Sequence, residues 1–111
     1  MSDTVPVSTH VYDLYGTKTL SMGDLRDAIQ SNTGLWLDLR NSQHLGGDYF
    51  RGGDIGGEEF TIQQNWDEEG ETIEEEFREY PVLFRVDRSR RADELREALK
   101  GVAGLQFLKR S

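Results

Sequence analysis

Carboxylates are the side chains with the most chemical potential in this sequence. Twelve of them fall between Asp48 and Glu79, opposed only by Arg51 and Arg78, so this block carries −10 while the rest of the 111 residues carries +2. Paired carboxylates beside an aromatic ring can act as general acid and base, as in glycoside hydrolysis. Tyr49 and Trp66 are the rings that would line such a site. A small enzyme or ligand-binding protein built on these groups is the alternative reading of the chain. Calcium is the second chemistry that an acidic run invites. Asp67-Glu68-Glu69-Gly70-Glu71 lacks the alternate-position ligands of an EF-hand loop, so no metal site is expected there.

The other reactive residue types offer less. His10 and His44 stand far apart and have no companion ligands at useful spacing. Ser21 lies in Leu-Ser-Met and Ser42 in Asn-Ser-Gln, neither of which is the strained Gly-x-Ser-x-Gly presentation of a nucleophile. The glycines at 46, 47, 52, 53, 56 and 57 are followed by acids rather than by the Gly-Lys-Ser/Thr of a phosphate loop. Hairpin turns needing positive φ explain them better. With no cysteine, thiolate catalysis, disulfides and thiolate metal sites are excluded. No catalytic residue, metal or cofactor is therefore expected.

What remains is charge. A surface this negative repels nucleic acid and anionic membranes and speeds encounter with a basic protein. The expected partner-binding residues are Asp67, Glu68, Glu69, Glu71, Glu74, Glu75 and Glu76, with Trp66 and Tyr80 flanking them as anchors. So many unpaired carboxylates cannot be buried together, which predicts an exposed block.

Several elements must position these groups. His10–Tyr15 reads as a strand. Ser21 caps a helix running to about Thr33, with Leu20 and Leu25 placed to staple it and Gly34 to end it. Leu35–Leu39 alternates as a strand, with Leu35, Leu37 and Leu39 inward and Trp36 and Asp38 outward. A turn at His44–Gly47, a strand at Asp48–Arg51, a glycine-rich turn and a strand at Glu58–Trp66 follow. Asp67–Glu79 is a loop or short helix held down by Ile73 and Phe77. Val82–Val86, apolar on both faces, is a central strand. Arg90 to about Lys100 is a helix capped by Asp87 or Ser89, and Leu105–Lys109 is a last strand. The order β-α-β-β-β-β-α-β predicts an α+β domain with one mixed, mostly antiparallel sheet and both helices on one face. Leu37, Phe60, Ile62, Phe84, Leu95 and Leu99 should fill its core.

The length suits a single domain over residues 1–111, with 1–9 as a loose leader. Met1-Ser2-Asp3-Thr4-Val5 has neither the basic region nor the apolar run of a signal peptide, and no stretch approaches the roughly 20 apolar residues of a membrane span. A cytoplasmic protein is expected.

Between about Gly46 and Val86 the sequence resembles a known class. Gly46-Gly47-Asp48-Tyr49-Phe50-Arg51, then Gly57-Glu58-Glu59-Phe60-Thr61-Ile62-Gln63-Gln64-Asn65, then Glu79-Tyr80-Pro81-Val82-Leu83-Phe84-Arg85-Val86 look like small bacterial immunity proteins of contact-dependent growth inhibition and other polymorphic toxin systems. The resemblance implies a small cytoplasmic protein that binds and blocks a cognate toxin domain, often a basic nuclease, and that needs no catalytic residue. A regulatory module that mimics nucleic acid would present the same acidic face to a different partner.

Overall fold

A computed structural model of the chain describes residues 11–54 and 56–111. The expected leader at residues 1–9 and His10 lie outside them. The elements are β1 (Val11–Thr17), α1 (Met22–Thr33), β2 (Asp38–Ser42), β3 (Gly47–Gly53), β4 (Glu59–Gln64), β5 (Val82–Ser89), α2 (Ala92–Leu99) and β6 (Leu105–Arg110), with short 3-10 turns at Gln43–Leu45 and Glu75–Phe77. This is the expected α+β order. The strands form one six-stranded sheet, β2-β3-β4-β5-β1-β6. Every pairing in it is antiparallel.

Four successive strands, β2 to β5, form a meander. β1 then inserts between β5 and β6, so the N-terminal strand lies inside the sheet. Cross-strand neighbours share a face. Phe50, Ile62, Phe84 and Tyr15 are therefore aligned across β3, β4, β5 and β1. Both helices pack on this face: Leu25 and Ile29 of α1 join Leu95 and Leu99 of α2 in one core with the sheet residues. Phe84 is fully buried there between the rings of Tyr15 and Phe60, at centroid distances of 5.8 and 6.4 Å. All six residues expected in the core are buried.

Local signals explain the ends of α1. Ser21 Oγ accepts from the Asp24 amide at 3.1 Å, and Gly34 takes the left-handed conformation that its sequence position predicts. α2 differs. Its cap residue is Arg91, not Asp87 or Ser89, although Ser89 Oγ accepts from the Arg91 amide at 3.1 Å and so satisfies the turn before the helix.

The Leu35–Leu39 expectation needs correction. Leu35 and Leu37 are buried, but they lie in extended chain before β2, which begins only at Asp38. Leu39 is 60 % exposed. It points to the helix side of the sheet from the edge strand, opposite Phe50. The alternating pattern finds the right face there, while the position at the sheet margin leaves the leucine uncovered.

Candidate partner-binding surface

The sheet face opposite the helices is the one that carries charge. Part of it is closed by the segment after β4. Leu14 of β1, Leu83 of β5 and Tyr80 form a second small core, with Phe77 and Leu108 packed against it. Gly16 lies beneath Tyr80, where a Cβ would come within 2.9 Å of the ring. Phe77 meets Tyr80 edge to face at 6.4 Å. The acidic segment is thus tied to the sheet by its aromatic residues, as Phe77 was expected to do.

Asn65 supplies the polar half of this attachment. It is buried; its Oδ1 accepts from the Glu74 amide at 2.8 Å and its Nδ2 donates to the carbonyls of Phe77 and Tyr80, each at 3.0 Å. One side chain therefore satisfies three backbone groups of a segment with no regular ladder of its own. Asp67 organises the tip: its Oδ1 accepts from the amides of Glu69 and Glu71 at 2.9 and 3.0 Å, and Gly70 turns the chain with φ of 81°.

These contacts sort the expected binding residues into two groups. Glu68, Glu69, Glu71, Glu75 and Glu76 are exposed. Asp67 and Glu74 are half-buried and structural, Glu74 through a 2.6 Å ion pair with Arg85. Glu75 pairs with Arg78 at 2.7 Å and Glu76 approaches Lys109 at 3.6 Å. Glu68, Glu69 and Glu71 have no ion pair among the described residues, so the uncompensated charge sits on the tip. Trp66 is 41 % exposed beside it and bridges to Thr72. It does not continue the inward register of Phe60 and Ile62, because β4 ends at Gln64.

Tyr80 is corrected. It is buried, its hydroxyl bonds to Gln106 Oε1, and its ring is committed to the second core, so it cannot anchor a partner from the free surface. Its sequence context, acids on one side and proline on the other, gives no sign of this burial.

Glu58 and Glu59 of the block lie at the other end of the sheet. Glu59 pairs with Arg51 and, at 2.5 Å, with Arg88, and Glu58 pairs with Arg91 at 2.9 Å. Burial alone would raise both carboxyls. Hydrogen bonds from Arg91 and Ser89 to Glu58, and from Arg51 and Arg88 to Glu59, outweigh it and hold both pKa values below their ordinary range. Asp87 goes the other way: burial pushes its carboxyl up, against Arg85 and Arg88. This arginine-rich end includes a cleft of about 520 Å³ lined by Gly57, Glu58, Arg88, Arg90 and Arg91. The sequence does not reveal it because its charges come from two stretches about thirty residues apart, around Glu58 and around Arg88–Arg91. The continuous run from Asp48 to Glu79 therefore divides in space between an arginine-paired end and an acidic end.

Neither Tyr49 nor Trp66 lines that cleft or any of three smaller ones formed by the described residues. Among the described residues no three His, Cys, Asp or Glu side chains are grouped to hold a metal ion, and no helix is long and apolar enough to cross a membrane. The sequence matches no protein-family model and no curated protein.

Proposed function

We propose that this protein is an immunity protein that binds and neutralises a cognate toxin domain, a basic nuclease by its charge preference, through the acidic tip at 67–76 with Trp66 at its margin. The observation that carries the reading is the concentration of unpaired, exposed carboxylates at Glu68, Glu69 and Glu71 on a segment pinned down by Asn65, Phe77 and Tyr80. A pinned acidic tip attracts a basic surface without the cost of ordering a free loop on binding. Like charges held close repel one another, and a basic partner offsets that repulsion. Function by occupancy needs no catalytic group, and on this reading the protein acts in the cytoplasm, where an incoming toxin would meet its target.

The test is co-expression with the toxin domain encoded beside it. The reading expects a complex that survives purification and restores growth of cells making the toxin. Continued toxicity with no recoverable complex, while the protein is present and folded, overturns it.

A further inference from the structure

The two edges of the sheet are not alike. β6 carries the adjacent bases Lys109 and Arg110 and meets β1 through a register shift, both common guards against edge-to-edge pairing. β2 has neither. Its register with β3 is unbroken from Asp38 to Ser42, and four of its five residues are exposed. Among the described residues the two most exposed large apolar side chains, Trp36 at 70 % and Leu39 at 60 %, stand at this margin.

We propose that β2 is the interface of a two-fold homodimer, in which it pairs antiparallel with β2 of a second copy and extends the sheet across both. The argument is charge complementarity. A two-fold axis normal to the sheet brings residues of the same face together, so the register is set by the residue on the axis. Centring on Asp38 or on Arg40 sets like charges against each other. Centring on Leu39 sets Asp38 opposite the partner's Arg40, twice, on the open face. It also sets the two exposed Leu39 side chains together on the helix face. Arg40 has no ion pair among the described residues. Asp38 accepts from Trp36 Nε1 through Oδ1 at 2.7 Å, leaving Oδ2 for a partner. Opposed charges and paired leucines are the cross-strand contacts that stabilise antiparallel pairs. The contact is short, and the dimer is of the weak, exchanging kind.

The experiment is sedimentation equilibrium of the whole chain over a concentration series. The mass should rise from 12.7 kDa towards twice that value. Arg40→Asp and Asp38→Arg should each weaken self-association by at least about tenfold, a fold-change of about 1.4 kcal/mol. Mixing the two variants should restore it as a heterodimer, because the pairs are then Asp–Arg again. Far-UV circular dichroism matching that of the parent shows that each variant has folded before the two are mixed. A monomer at every concentration overturns the proposal, as does a dimer that Arg40→Asp leaves unchanged or a mixture that does not associate.

Discussion

Asn65 and Phe84 show how much of this fold rests on single side chains. Phe84 fills the centre of the helix-side core, so Phe84→Ala should cost about 3–5 kcal/mol in urea unfolding, the range for deleting a buried aromatic. Asn65→Ala should cost about 1–3 kcal/mol for each backbone group left buried and unpaired. It should also loosen a segment that Phe84→Ala leaves alone, read as faster amide exchange at Glu74. Glu59 adds a pH dependence. Its folded pKa lies below its ordinary 4.5, so it contributes stability above that value and loses it as pH falls through the folded pKa. Asp87, with a raised folded pKa, has the opposite sign: its contribution is present below the ordinary 3.8 and is lost as pH rises through the folded value. The destabilisation caused by Glu59→Gln should therefore be largest near neutrality and shrink below pH 4.5, as followed by unfolding midpoints across the acid range. Phe84 was legible in the sequence because it sits in an apolar run. The work of Asn65 was not, because a polar residue ending a strand looks the same whether its amide faces water or three backbone groups.

Among the elements, the acidic segment 66–79 is where charge and packing meet. Lysine at 68, 69 and 71 removes no ion pair and no core contact, so the variant should fold as stably as the parent. If the tip steers a basic partner, association should slow by about tenfold or more at low salt and by less at high salt, while dissociation changes little. Stopped-flow or surface kinetics at two ionic strengths would measure this, and an unchanged association rate would locate the interface elsewhere. Strands and helices were readable because each carries its own period and caps, as at Ser21 and Gly34. The acidic segment has no period. Its order comes from Tyr80 and Phe77 meeting Leu14 and Leu83, and those pairings depend on which strands become neighbours. The same reason hides the arginine pairs of Glu58 and Glu59, whose partners at 88 and 91 are about thirty residues away.

Across the whole molecule the two charged ends are set apart along the strands. β4 starts beside the arginines at Glu59 and finishes next to the acidic segment at Gln64, a run of roughly 17 Å at about 3.4 Å per residue. A partner therefore meets a surface whose uncompensated charge is gathered at one end, which orients it before contact as well as attracting it. The placement of β1 has a further effect, which concerns time. β1 can complete neither of its edges until β5 and β6 exist, and Val82 lies 65 positions beyond Thr17. At about 5–20 residues per second, β1 waits roughly 3–13 s during synthesis with both edges bare. A nascent chain in that interval is the form most exposed to aggregation and to holding chaperones. Isolated refolding should likewise be slow for a domain of this size, on the millisecond-to-second scale of topologies dominated by distant pairings.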